Sequence, residues 1–321
     1  MKRSCLILVF FLFLIPTTLL SYPVDDNGWL GVQNSQLVNQ KNIPIQLKGM
    51  SSHGIQWYGK FVNYNAMKEL RDNWGLSVFR IAMYLNEGGY LSRPDLKNKM
   101  IEGIDAAINL GIYVIIDWHI LSERDPNVLR APAIQFFEEM ATRYRNYPNV
   151  IYEIANEPNN TSWANNIRPY SIELYNRIRA IDPYHIIIVG TNAWSSAVEE
   201  AANNPLPPYC YNVMYALHFY AGSHGSWYRD KITYAMSRGA AIFVTEWGTT
   251  NYSGNGGNNY GEAQNWMNFL AEKKVSWTNW TISDHPESSA VLNVGANPNG
   301  GWTDANLKET GRFVKRAMLS K

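Results

Sequence analysis

Ile151-Tyr152-Glu153-Ile154-Ala155-Asn156-Glu157-Pro158 is a β-branched run that ends in a glutamate. A second stretch, Ala241-Ile242-Phe243-Val244-Thr245-Glu246-Trp247-Gly248, ends the same way. In a barrel of parallel strands the ends at which such strands stop meet at one face. Glu157 and Glu246 can then sit side by side although they are far apart in the chain.

Working outward from this pair, strand-like runs lie near 45–50, 77–83, 112–118, 150–156, 185–190, 212–219, 241–246 and 276–282. Helical patterns lie between them, near 64–73, 95–110, 133–146, 166–181, 227–238, 262–273 and 304–319. The clearest, 95–110, spaces Leu96, Met100, Ile101, Ile104 and Ile108 on one face. Ser92 and Pro94 suit its start and Gly111 its end. Alternating β and α elements predict an α/β fold with a parallel sheet and crossover helices. Eight units in a chain of 321 residues fit a (β/α)8 barrel forming a single domain over 22–321. A doubly wound open sheet would need a glycine-rich turn after the first strand, but Lys48-Gly49-Met50-Ser51-Ser52-His53-Gly54 lacks that pattern.

Residues 1–21 read as a signal peptide: Lys2 and Arg3, an apolar run from Leu6 to Ile15, then small residues near Ser21. That run is too short for a span of ~20 residues, so a secreted protein with no membrane attachment after cleavage is expected. Net charge of +1 argues against nucleic acid and anionic membranes as partners. Of the two cysteines, Cys5 leaves with the leader and Cys210 reads as a buried small hydrophobe. Asn159, Asn160, Asn251 and Asn279 stand in Asn-x-Ser/Thr patterns.

The expected strand ends carry His53 and Trp57, Arg80 and Tyr84, His119, Asn156 and Glu157, His218 and Tyr220, Glu246, and Trp280. Any one alone reads as structural; their convergence on one face reads as a site. Two carboxyl groups beside Trp, Tyr and His are the minimum apparatus for cleaving a glycosidic bond. His185 reads as a structural residue at the bottom of the barrel and His224 as a solvated loop residue. No metal-binding helix pattern occurs, and neither a metal nor a cofactor is expected. Trp74, Trp266 and Trp277 read as core, whereas Trp57 and Trp280 read as stacking platforms for sugar rings.

At these residues the chain resembles glycoside hydrolase family 5, specifically its bacterial-type endo-β-1,4-glucanases. The matching segments are His53-Gly-Ile-Gln-Trp57-Tyr58-Gly59, Phe79-Arg80-Ile-Ala-Met-Tyr84, Asp117-Trp118-His119, Tyr152-Glu-Ile-Ala-Asn156-Glu157-Pro158, His218-Phe-Tyr220, Thr245-Glu246-Trp247-Gly248 and Asn279-Trp280. They run in the family's order across the mature chain. The resemblance implies a retaining hydrolase of β-1,4-linked polysaccharides such as cellulose; a monomer is the default expectation for one compact barrel. It makes Glu157 the acid/base and Glu246 the nucleophile. Arg80 and Tyr220 would then stabilise the Glu246 charge, Asn156 would bind a sugar hydroxyl, and His218 would orient Glu157. His53, Trp57, Tyr84, His119 and Trp280 would bind substrate. One departure is His285, where relatives carry lysine, ahead of Glu287; both would contact a more distant sugar. A β-1,4-mannanase or other β-1,4-glycanase, and a non-catalytic polysaccharide-binding barrel, stay open as alternative readings.

Overall fold

The computed structural model describes residues 22–320; the expected leader, with Cys5, lies outside the described residues. The N-terminal stretch forms a short antiparallel hairpin, β1 (Gly31–Gln33) and β2 (Gln36–Val38). Its two-residue turn, Asn34 and Ser35, holds φ of 50° and 62°, the doubly left-handed geometry that suits a twisted hairpin.

Eight parallel strands follow: β3 (Lys48–Ser52), β4 (Val78–Tyr84), β5 (Tyr113–His119), β6 (Val150–Glu153), β7 (Ile186–Val189), β8 (Val213–Tyr220), β9 (Ile242–Gly248) and β10 (Trp277–Ile282). They neighbour one another in chain order and close through β10 onto β3. The fold is the expected (β/α)8 barrel, and each expected strand lies within a few residues of an observed one. β6 is shorter than its expected span: the ladder stops at Glu153, and Asn156 and Glu157 stand beyond it. The helix after β4 spans Leu96–Leu110. It ends at Gly111, whose φ of 65° takes the left-handed C-terminal position. Ser92 is not its cap; its hydroxyl donates to the Gly89 carbonyl at 3.1 Å.

One crossover was not foreseen. Between β7 and β8 the chain forms only short pieces, Asn192–Ser195 and Val198–Asn203. The first holds Ala193, Trp194 and Ser195 at φ of 53°, 56° and 51°. Pieces this short carry no helical periodicity, so the sequence pattern has nothing to register.

Strand alternation sorts the side chains. On β4, Phe79, Ile81 and Met83 pack outward against the helices, while Val78, Arg80, Ala82 and Tyr84 turn into the lumen. The lower lumen is apolar: Val78, Ile115, Ile151, Ile188, Met214 and Phe243 meet there, capped from below by Leu30 and Leu37 of the N-terminal hairpin region. Trp74, Trp266 and Trp277 are core residues as expected. Cys210 is half-buried against the outer core, and burial pushes its thiol up to about 11.

Candidate active site

Two residues above the apolar layer, the same strands place charges in the lumen. Arg80 is fully buried. Its Nε donates to Glu153 Oε2 at 2.7 Å, Nη1 donates to Glu246 Oε2 at 3.2 Å, and Nη2 donates to Asn156 Oδ1 at 2.6 Å while lying 3.0 Å from Asp117 Oδ2. A guanidinium taken out of water needs such partners to offset its desolvation, and its planar fork can meet several at once.

Glu157 reaches the mouth because the chain leaves the ladder after β6. Backbone bonds from Asn156 to the Trp118 carbonyl (3.2 Å) and from Glu157 to the Ile120 carbonyl (3.3 Å) hold the turn. Glu246 reaches it through a register shift. Ala216 pairs with Phe243, yet His218 pairs with Glu246, so β9 carries one extra residue. Such a bulge re-aims side chains, and here consecutive Thr245 and Glu246 both meet lumen groups. Oxygens of Glu157 and Glu246 and a ring nitrogen of His218 lie within 4.8 Å of one another.

The two carboxyls are unlike. Burial raises Glu157 above the ordinary glutamate value, the nearby charge of Glu246 adds to this, and His218 only partly opposes it. Burial would also raise Glu246, but the charges of His218 and Arg80 and the Tyr220 hydroxyl hold it below the ordinary value. That hydroxyl donates to Glu246 Oε1 at 2.7 Å. His218 bridges the pair's surroundings, with Nδ1 2.8 Å from Glu157 Oε1 and Nε2 2.8 Å from Thr245 Oγ1. Among the described residues this trio is the cluster that could share a cation. Both ring nitrogens of His218 are already engaged, so the donor set reads as acid–base apparatus.

Above the carboxyls opens a cavity of about 740 Å³, lined among others by His53, Tyr84, His119, Glu157, His218, Tyr220, Glu246, Trp280 and Glu287. Trp280, whose peptide bond to Thr281 is cis, lies stacked 5.5 Å from His119. Trp57, expected to stack on substrate, does not line the cavity; it stands beside it, 50% exposed, with its ring edge-on to Tyr84 at 5.1 Å. Burial and the neighbouring His285 and His119 depress His53 to about 3, so its ring is neutral.

Several expected contacts are spent inside the protein. His119 Nδ1 meets Asp117 Oδ2 at 2.5 Å and Nε2 lies 3.2 Å from Asn156 Nδ2, so both ring nitrogens are engaged within the protein, and the ring packs between Tyr84 and Trp280. The same Asn156 amide donates to the Ile120 carbonyl at 3.1 Å, and its side chain lies fully buried beneath the floor. His285 stacks on Tyr58 at 5.4 Å, outside the cavity lining, whereas Glu287 lines the cavity. His224 is only partly exposed, at the cavity wall, and its ring is held by neighbours. Its Nδ1 accepts the Tyr220 backbone N–H at 2.9 Å, it stacks on Tyr228 at 4.1 Å, and burial depresses it to about 4. His185 is structural as read, held between Asp182 and the Tyr147 carbonyl. The Asn279 amide is buried and donates to the Trp247 carbonyl at 3.0 Å, closed to glycosylation in the folded protein.

Sequence reasoning missed Glu153 and Thr245, which sit under the site, and Trp194, Tyr228 and Tyr252, which wall it. A period of two along β6 from Ile151 would have turned Glu153 inward. No such signal marks Trp194, whose place depends on three left-handed residues.

Residues 38–286 match the family described as cellulase (glycosyl hydrolase family 5). Endoglucanase 5 of Pectobacterium carotovorum subsp. carotovorum is 53% identical over 297 residues, covering 92% of this chain and 58% of that protein. An endoglucanase of Clostridium saccharobutylicum is 56% identical over 293 residues, covering 91% and 65%. The chain therefore spans less than two thirds of either relative. The catalytic domain of Thermobifida fusca endoglucanase Cel5A, a variant in complex with cellotetraose, superposes with a TM-score of 0.89 at 39% identity, covering 93% of this chain and 100% of that one. With a matched family region of this extent and relatives this close, the chain belongs to glycosyl hydrolase family 5.

Proposed function

We propose that the chain is a secreted, monomeric, retaining endo-β-1,4-glucanase that hydrolyses internal bonds of cellulose and related β-glucans. The observation that carries this is one site holding a carboxyl biased toward its acid beside a carboxyl biased toward its anion, with oxygens within 4.8 Å. That separation suits the ~5–5.5 Å of retaining enzymes better than the ~6.5–9.5 Å that admits a water in inverting ones. Glu246 attacks the anomeric carbon while Glu157 protonates the departing oxygen. Glu157, now ionised, takes a proton from the water that releases the glycosyl-enzyme. Arg80 and Tyr220 hold Glu246 ionised and oriented before attack. Export rests on the Lys2-Arg3 and Leu6–Ile15 pattern.

The test is reducing-end release from carboxymethylcellulose, with lichenan-type glucan, glucomannan and mannan measured alongside. The reading expects turnover on the glucans, loss on Glu246→Ala, and loss on Glu157→Gln for unactivated substrate. Near-wild-type hydrolysis by either variant would refute the assigned roles, and faster release from mannan than from any glucan would replace the substrate.

A further inference from the structure

We propose that Glu153 and Thr245 form a positioning relay that holds a proton on each ring nitrogen of His218 and thereby places the catalytic proton of Glu157 on its cavity-facing oxygen. The proposal rests on Glu157 being the acid/base.

Glu153 is fully buried on β6, outside the cavity lining. Its Oε2 accepts from Arg80 Nε, and its Oε1 accepts the Thr245 hydroxyl at 2.6 Å. Burial alone would raise Glu153, but Arg80 and His218 hold it down to about 2, so it is an anion with no proton to give. Threonine has a single hydroxyl proton, and here it is spent on Glu153. The oxygen left facing His218 Nε2 at 2.8 Å can only accept. Nε2 therefore carries hydrogen, with Glu153 Oε1 a further 3.8 Å contact.

On its other side the ring meets Glu157 Oε1 at 2.8 Å. Groups facing the ring are Glu153 and Glu157 from β6 and its loop, Glu246 on β9, Asp117 and His119 on β5 and Arg80 on β4. Burial disfavours its charge, but its contacts with the Glu153 anion and with Glu157 Oε1, and the charge of Glu246, raise it to about 9. The imidazolium donates from Nδ1 to Oε1, which leaves Oε2 for the transferable proton. In the first half-reaction that proton moves to the leaving oxygen as its bond to carbon breaks and Glu246 bonds to the carbon. In the second, water bonds to the carbon, the Glu246 bond breaks, and the water proton returns to Oε2. The imidazolium itself neither gains nor loses a proton. A neutral ring with a bare Nδ1 would instead capture the Glu157 proton on the wrong oxygen.

Thr245→Val keeps the side-chain shape and removes the hydroxyl. Turnover of a soluble β-1,4-glucan should fall about 10- to 100-fold, the scale of partial loss of acid catalysis. With the ring charge weakened beside it, Glu157 should keep its proton to higher pH. The alkaline limb of kcat/KM then moves up by about one pH unit. A dinitrophenyl cellobioside, whose leaving group departs without protonation, should keep its glycosylation rate within about threefold, and Thr245→Ser should restore both glucan turnover and the limb. An unmoved limb, or equal losses on both substrates, overturns the relay. Nitrogen-15 histidine spectra of the wild type, with His218→Asn for assignment, read the relay without a folding risk: both His218 ring nitrogens should be protonated at pH 8, and a bare Nε2 overturns it. If the wild type releases no reducing ends, the proposed function fails and the spectra still decide the relay.

Discussion

The lower and upper halves of the barrel lumen are built by the same strands, two residues apart, with opposite chemistry. Below, Val78, Ile115 and Ile151 pack with Leu37 into an apolar plug. Above, Arg80, Asp117 and Glu153 occupy the next inward positions of those same strands. Burying each aliphatic side chain contributes about 1.5–3 kcal/mol. Burying the charges costs stability unless every partner is present. The plug secures the fold, while the charged layer, held on that rigid base, sets the ionisation of the mouth.

The largest effects are expected at the mouth. If Glu246 is the nucleophile proposed above, Glu246→Ala should lower glucan turnover by about three or more orders of magnitude, with unchanged circular dichroism; residual activity near wild type would place the chemistry elsewhere. Arg80→Leu removes the cation common to three carboxylates and should cost about 3–5 kcal/mol in denaturant unfolding. A neutral result would mean that the charged layer is internally repulsive without consequence. In the plug, Ile151→Ala should cost about 2–4 kcal/mol yet leave the kcat of the folded fraction unchanged; a proportionate fall in kcat would show the two halves to be coupled.

A pH series sharpens the comparison further. His218 is raised from 6.5 to about 9 in the folded protein. Its network therefore contributes stability that is complete below about 6.5 and is lost as pH rises through about 9. Tm should fall more steeply over that window in the wild type than in His218→Asn, and parallel curves would contradict the network. The smallest effect is expected at the rim. Trp57→Ala should change stability by no more than about 0.5 kcal/mol while raising KM for long glucans, which initial-rate kinetics would detect.

Much of this molecule was legible in one dimension. Period-two and period-3.6 patterns record which face of each element is buried, and that sufficed for all eight barrel strands and for both carboxylates at their ends. The short pieces after β7 carried too few residues to show a period. His119 and Asn156 were readable as site residues, but not as partners of each other. A side chain's identity lists the bonds it can make and does not say which neighbour will claim them.

The barrel, the two glutamates and their aromatic neighbours follow from burial patterns and strand ends, which are local properties of the chain. Closure of the barrel is what turns both Thr245 and Glu246 to the lumen, braces them from below with Glu153 and Arg80, and biases one carboxyl toward its acid and the other toward its anion. Ionisation depends on desolvation and on charges a few ångströms away. Those distances exist only once strands distant in sequence are closed into a ring.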